Sequence, residues 1–381
     1  MEQQITLIAT SAMGLEALVA KEVRDLGYEA EVDNGKVTYS GDLKAICRSN
    51  LWLRTADRIK IKVGEFKAET FDELFEKTKA LNWGDYIPEL AEFPVTGKSV
   101  KSKLFSVPDC QSIVKKAVVE KLKKHYKKQT DWYTEEGPVY KIEVALLKDV
   151  CTLTIDASGA GLHKRGFRVA QGEAPLKETL AAALVKLTNW TPDKPFVDPF
   201  CGSGTIPMEA ALLGQNIAPG FNRQFVSEDW EWIGKSLWNE ARMEAEDLAK
   251  YDQPLDIKGF DIDHRMVEIA SNNAEEAGLG DIISYKQMQV RDFTAKSQYG
   301  VIVGNPPYGE RLGEKKEVEQ MYREMGQAFA GLDTWSVYIL TSHPDFEKLY
   351  GKQATKKRKL FNGFLKTDYY QYWGKRPPKN S

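Results

Sequence analysis

Apolar residues recur along this chain with two periods, and the points where one gives way to the other outline its elements. Gln4–Ala9 is a β-prone apolar run, and Leu15, Leu18, Val19, Val23 and Leu26 then follow at helical spacing. Gly27 stops that pattern, which predicts a helix over Gly14–Leu26. A hairpin is expected from Val32 to Tyr39, because Asn34-Gly35 supplies the turn. A helix from Leu43 to about Asn50 and a strand near Arg58–Val63 complete a small α/β unit over residues 1–65. Residues 66–156 form a second unit. It has a helix over Phe71–Ala80, a long amphipathic helix over Asp109–Lys128 with Val114, Val118 and Leu122 on its apolar side, and strands at Val139–Leu146 and Val150–Ile155.

Residues 157–172 lose both periods. They are rich in glycine and basic residues, Ser158-Gly159-Ala160-Gly161 and Lys164-Arg165-Gly166-Phe167-Arg168, and read as a linker or surface loop. From 173 to 381 strand and helix alternate. Helices are predicted over about Pro175–Thr188, Ile206–Leu213, Arg265–Ala277 and Glu317–Phe329. The intervening strands are Phe196–Asp198, Ile257–Phe260, Ile283–Gln287, Gly300–Val303 and Ser336–Leu340. That rhythm predicts an α/β fold with a mostly parallel, doubly wound sheet.

A hydrophobic content of 42% and a charged content of 28% fit an ordinary globular protein of more than one domain. No stretch approaches the ~18 apolar residues that span a bilayer. Met1-Glu2-Gln3-Gln4 shows no export signal, so the cytoplasm is the expected location. Cys47, Cys110, Cys151 and Cys201 lie far apart without C-x-x-C spacing, so neither a disulfide framework nor a metal site is expected. The net charge of −2 conceals clustering. Ten lysines between Lys98 and Lys128 face only Asp109 and Glu120, and Lys356-Lys357-Arg358-Lys359 forms a second cluster. Lys116, Lys123 and Lys127 fall within about 40° of one another on the predicted helix. Most such runs are solvated faces, but a local basic region on a near-neutral protein can also hold a polyanion.

Two motifs carry chemistry. Asp198-Pro199-Phe200-Cys201-Gly202-Ser203-Gly204-Thr205 joins a strand to a helix, where a doubly wound sheet binds ligands. Its glycines permit positive φ and close backbone approach, and the helix N-terminus offers free N–H groups to an anion. Thr205 and Ile206 stand where a phosphate-binding loop would carry lysine, so a carboxylate suits this loop better than a triphosphate. Asp198, Phe200, Gly202, Gly204 and Thr205 are its candidate cofactor-binding residues, with Asp198 placed to hold an ammonium. At the next strand end Asp261 is suited to two ribose hydroxyls, and Asp292 to an adenine amino group. The second motif, Asn305-Pro306-Pro307-Tyr308, closes the run Val301-Ile302-Val303-Gly304. The Asn305 side-chain oxygen and the Pro306 carbonyl can grip both N–H bonds of a ring-attached amine. Pro306 and Pro307 fix the backbone, and Tyr308 can stack on the ring. Together, about 100 residues apart, the motifs point to methyl transfer from S-adenosylmethionine to an exocyclic nitrogen.

On these residues the 173–381 region resembles the amino-directed Rossmann-like methyltransferases. The whole chain is similar to the bacterial THUMP-domain RNA guanine-N2 methyltransferases, including the 23S rRNA enzymes, with a single methyltransferase domain. Further matches are Asn50-Leu51-Trp52-Leu53-Arg54-Thr55-Ala56, Ser106-Val107-Pro108-Asp109-Cys110-Gln111, His163–Arg168, Ala174–Ala181 and Asn305–Leu312. The resemblance implies a ferredoxin-like unit over 1–65, a THUMP domain over 66–156 that binds structured RNA, a linker over 157–172 and a Rossmann-like methyltransferase domain over 173–381. It implies that the segment around Pro175–Thr179 covers the cofactor, which adds Glu178 to the cofactor-binding set. Lys164, Arg165 and Arg168 join Lys116, Lys123 and Lys127 as candidate RNA contacts. The expected reaction is guanine-N2 methylation in 23S rRNA. The alternatives are the same reaction on tRNA, adenine-N6 methylation of nucleic acid, and a non-catalytic RNA-binding assembly factor.

Overall fold

In the computed structural model residues 4–130, 132–167, 176–309 and 314–378 are described. They divide into two compact units. One holds the chain up to Ser11, Val19–Leu162 and Gln224–Glu244; the other holds Ala12–Leu18, His163–Arg223 and the chain from Ala245 onward.

The first unit is built on β1 (Ile5–Thr10), α1 (Glu16–Asp25), β2 (Ala30–Asp33), β3 (Lys36–Gly41), α2 (Leu43–Trp52), β4 (Arg58–Lys67), α3 (Phe71–Ala80), β5 (Val95–Val100), α4 (Val107–His125), β6 (Ile142–Leu147) and β7 (Val150–Asp156). Its seven strands make one sheet in the order β2-β3-β1-β4-β7-β6-β5. β4 is the join. Its first residues pair with β1, and it then runs antiparallel to β7 with a register shift between Lys62 and Gly64. The predicted elements of residues 1–65 and 66–156 therefore share a sheet. β5 was not expected: Val95-Thr96-Gly97-Lys98-Ser99-Val100 is a half-polar strand at the sheet edge, paired in parallel with β6.

Helix α4 ends earlier than its sequence pattern predicts. Pro108 sits in its first turn, as proline prefers. At the other end the Lys128 N–H donates to the Lys123 carbonyl, and Lys127 takes φ +54°. This is the left-handed closure that satisfies the last carbonyls of a helix. Lys127 consequently lies beyond the helix, and the expected single face of Lys116, Lys123 and Lys127 does not exist.

The second unit contains α5 (Glu178–Lys186), β8 (Phe196–Asp198) and α6 (Thr205–Gly214), followed by α7 (Lys235–Leu248), most of which falls in the first unit. It continues with β9 (Ile257–Asp261), α8 (His264–Glu276), β10 (Ile283–Gln287), β11 (Val301–Gly304), α9 (Lys315–Phe329), β12 (Ser336–Thr341), α10 (Phe346–Tyr350), β13 (Lys356–Asn362) and β14 (Leu365–Tyr372). The sheet order is β10-β9-β8-β11-β12-β14-β13. The first five strands are parallel, and β14 and β13 add an antiparallel edge.

Both sheet faces are covered, which explains the continuous apolar run of β11. Val301 and Val303 pack into one core with Leu184 of α5 and Ile206 of α6. Ile302 packs into the other with Tyr322 and Met325 of α9. Strand order reverses around β8, so the crevice between the carboxyl ends of β8 and β11 is the place where this topology presents a ligand site. Among the described residues no helix is long and apolar enough to cross a membrane.

Candidate active site

The glycine loop leaves β8 and is held from three sides. The Cys201 N–H donates to the Phe260 carbonyl of β9. Asn273 of α8 donates from Nδ2 to the Ser203 carbonyl at 2.9 Å, and the Tyr285 hydroxyl of β10 donates to the Gly204 carbonyl at 3.4 Å. Gly202 and Gly204 take φ +52° and +88°, the left-handed region that glycine enters without strain. Gly204 caps α6, and Thr205 is its first residue.

Two carboxyl groups bond to this loop, and a third opens α5. Asp198 is 1% exposed and accepts from the Phe200 N–H at 2.9 Å. Burial pushes its carboxyl well above the ordinary carboxylate value. Asp261, half-buried at the end of β9, accepts from the Gly202 N–H at 3.0 Å and the Asp263 N–H at 2.9 Å, and burial raises its carboxyl too. Glu178 opens α5, where burial chiefly, together with the charge of Glu209, moves its carboxyl upward. Cys201 is buried, and its thiol is pushed far up by that burial, which removes it as a nucleophile.

Asn305-Pro306-Pro307-Tyr308 follows β11 at the neighbouring strand end. The Tyr308 hydroxyl donates to Asn305 Oδ1 at 2.5 Å, and Asn362 Nδ2 donates to the Tyr308 oxygen at 3.4 Å. Beneath the corner, the buried Tyr322 of α9 donates its hydroxyl to the Pro307 carbonyl at 2.7 Å and lies 2.9 Å from the Thr341 hydroxyl. Tyr322 lies within the helix predicted over Glu317–Phe329 but was not singled out from sequence.

One cleft of about 1020 Å³ takes in both motifs. Phe200, Gly202 and Asp261 line it from the glycine-loop side, and Asn305, Pro306, Pro307 and Tyr308 from the other. Ile262, Met288 and Val290 add an apolar wall, with Gln289 as its amide. Glu317, Gln320 and Met321 of α9 contribute a further wall. None of these was singled out from sequence, because nothing local distinguishes them; they reach the cleft only through the fold. The arrangement suits a flat, polar-edged ligand pair between a carboxylate and a carboxamide.

Other candidates fall elsewhere. Asp198, Gly204 and Thr205 belong to the loop or its base, Glu178 opens α5, and none of the four is among the residues that line the cleft. Asp292 sits exposed on the short helical turn Val290–Asp292, and its neighbours Met288, Gln289 and Val290 line the cleft in its stead. Arg165 is a correction. Its side chain is 1% exposed and grips Glu209 with two parallel bonds of 2.9 and 3.0 Å, so it is an internal ion pair and not an RNA-facing residue. Lys116, Lys127 and Lys164 are exposed and Lys123 is half-buried. Arg168 lies outside the described residues.

Comparison with known proteins agrees with this geometry. The model of the RMKL-like methyltransferase domain matches residues 165–371, that of the RlmL ferredoxin-like domain residues 6–60, and that of the THUMP domain residues 68–156. The chain is 73% identical over 377 residues to a Bacillus subtilis (strain 168) protein named "Putative RNA methyltransferase YpsC", covering 99% of this chain and 98% of that one. A crystal structure from Listeria monocytogenes, described as a predicted N6-adenine-specific DNA methylase, is 64% identical with a TM-score of 0.94 over 98% of this chain and 97% of that one. A crystal structure described as "SMU.472, a putative methyltransferase complexed with SAH" is 52% identical with a TM-score of 0.95 over 99% and 100% of the two chains. A ferredoxin-like domain, a THUMP domain and a glycine-loop catalytic domain thus occur in one chain, and that chain belongs to the RMKL-like methyltransferase family.

Proposed function

We propose that this protein transfers a methyl group from S-adenosylmethionine to the exocyclic N2 of a guanine in RNA, with 23S ribosomal RNA as the substrate. The observation that carries the reading is the shared cleft, in which Gly202 and Asp261 stand on one side and Asn305 to Tyr308 on the other. S-adenosylmethionine, when bound, supplies an electrophilic methyl on a sulfonium.

The residues fit that donor. A side chain at Gly202 would occupy open space, so its absence leaves room at the loop. Asp261 keeps lone pairs for two ribose hydroxyls beyond its two backbone bonds. Ile262, Met288 and Val290 flank the adenine, and Gln289 serves its polar edge. That SMU.472 was solved with SAH supports a donor of this class.

Asn305 Oδ1 and the Pro306 carbonyl accept the two N–H bonds of the guanine amine. A carboxamide oxygen has two lone pairs, so the bond from Tyr308 leaves one for the substrate. That grip favours a pyramidal nitrogen whose lone pair faces the methyl. Tyr322 keeps the Pro307 corner in place, and the Tyr308 ring stacks on the base. Rate enhancement comes chiefly from this in-line positioning.

The THUMP match and the name of the Bacillus subtilis relative support RNA as substrate. The Listeria protein's description favours a second reading, adenine-N6 methylation, because adenine presents the same type of amine. Incubation with methyl-labelled donor and unmodified ribosomal RNA, followed by digestion to nucleosides, tests both. N2-methylguanosine is expected. Label in N6-methyladenosine would replace the substrate, and unlabelled RNA would reject the activity.

A further inference from the structure

The β13–β14 hairpin joins the cleft to a surface that the reaction above leaves unused. β14 runs antiparallel to β12, pairing Tyr372 with Val337 and Asp368 with Thr341, the last residue of β12. Leu365, Lys366 and Thr367 therefore extend past the carboxyl end of the parallel strands, the edge from which Asn305 to Tyr308 emerge. At the base of the tip, Asn362 donates to the Tyr308 hydroxyl oxygen, so the hairpin is tied to the methyl-acceptor corner itself.

The tip is Gly363-Phe364, closed by the Asn362–Leu365 pair. Gly363 takes φ +62° and Phe364 a negative φ, the signs of a type II′ hairpin, which calls for glycine first and leaves the second position free in side chain. That second position holds a phenylalanine at 107% relative exposure, with none of its ring packed on the protein. Along its two strands the hairpin carries Lys356, Lys357, Arg358, Lys359 and, near the tip, Lys366 against a single acid, Asp368. Lys357 is engaged with Glu347, and Arg358 with the Gly14 carbonyl; Lys356, Lys359 and Lys366 are exposed. An unpacked aromatic ring at the tip of a cationic hairpin, beside a site for an extruded base, has the chemistry of a single-stranded nucleic-acid platform.

The geometry points to Phe364 as the stacking platform for an unpaired RNA nucleotide next to the target base, with Lys359 and Lys366 at its phosphates. This assignment rests on the proposed RNA substrate and extends it to the flanking nucleotide. Phe364 does not touch the reacting atoms; it positions the strand that carries them.

The test compares wild type with F364A, F364L and F364W on an unmodified 23S ribosomal RNA transcript, reading RNA affinity, kcat/KM and the identity of the methylated nucleoside. Gly363 alone sets the turn, so all three variants should bind S-adenosylmethionine as wild type does, which checks their folding. F364A and F364L should both lose roughly 5- to 100-fold in RNA affinity and kcat/KM, the range that one base stacked on one ring contributes. F364W should retain most of both. Equal affinity and kcat/KM for wild type and F364A would overturn the assignment, and so would full rescue by leucine. A product other than N2-methylguanosine, with the Phe364 dependence intact, would overturn the guanine reading and leave the platform standing.

Discussion

Asn305 and Asp261, on opposite sides of one cleft, should respond to change in different ways. On the proposed reading Asn305 holds the acceptor and not the donor, so Asn305→Ala should lower kcat by several orders of magnitude while calorimetry finds donor affinity within severalfold of wild type. A large loss of donor binding would mean that this carboxamide belongs to the other subsite. Asp261 should act through protonation, because it lines the cleft, whereas Asp198 is buried beneath the loop. Burial raises the Asp261 carboxyl, so without donor it keeps its proton to higher pH than a free carboxylate. On the proposed reading the donor's ribose hydroxyls use its ionised form as acceptor. Donor affinity should therefore fall as pH drops through that raised value and level off above it, with proton release on binding inside that window. Titration in buffers of different ionisation enthalpy reads the release, and affinity that rises on acidification would refute the linkage. Arg165 and Glu209 form a purely internal pair, with side chains 1% and 2% exposed. Arg165→Met leaves Glu209 charged and alone in the core, so a loss of about 3–5 kcal/mol is expected in denaturant unfolding. Adding Glu209→Met should recover much of it, which a surface or RNA-binding role for Arg165 would not predict.

At the scale of elements, the glycine loop separates folding from ligand binding within three residues. A Cβ at Gly204 would meet the Tyr285 hydroxyl at 2.6 Å and the Ala270 Cβ at 3.1 Å, at φ +88°. Gly204→Ala should destabilise by about 2–5 kcal/mol through strain and overpacking. A Cβ at Gly202 meets nothing within 4 Å, so Gly202→Ala carries only the left-handed strain of about 1–2 kcal/mol. Because Gly202 lines the cleft, its variant should instead lose roughly tenfold in donor affinity, about 1.4 kcal/mol. Thermal unfolding beside calorimetry distinguishes the two, and matching phenotypes would contradict the division. The loop and the Asn-Pro-Pro-Tyr corner were legible in sequence because each is a local string with a local cause, glycine for positive φ and proline for a fixed turn. Helix α3 and strand β10 were equally legible, and both occupy the predicted ranges. Strands β13 and β14 were not, because Lys356-Lys357-Arg358-Lys359 reads as a charge cluster until its antiparallel partner is known. α7 was concealed likewise: its buried Trp238, Ala241 and Ala245 recur at helical spacing inside a run otherwise notable for acids. The Arg165–Glu209 pair spans 44 residues, and only the fold brings its members together.

Across the whole molecule, charge is divided by location and not by amount. A net charge of −2 gives no overall attraction to a polyanion, so any RNA affinity must come from local clusters. Such binding releases counterions, and the dependence of log affinity on log salt concentration counts the phosphates neutralised, at about 0.7–0.9 per contact. Lys116 on α4 and Lys127 beyond its end are exposed and stand on different local backbones, so they should behave as independent contacts. Lys116→Ala and Lys127→Ala should each lower the slope by about one contact, and the double variant by the sum. Lys164→Ala should do the same, whereas Arg165→Met should leave the slope unchanged because its guanidinium never meets solvent. Filter binding of a ribosomal RNA transcript at several salt concentrations measures all of these. If the lysine variants lower affinity without changing the slope, they act through shape or folding. If neither quantity moves, these lysines are an ordinary solvated surface, and the cations that hold the RNA lie elsewhere in the chain.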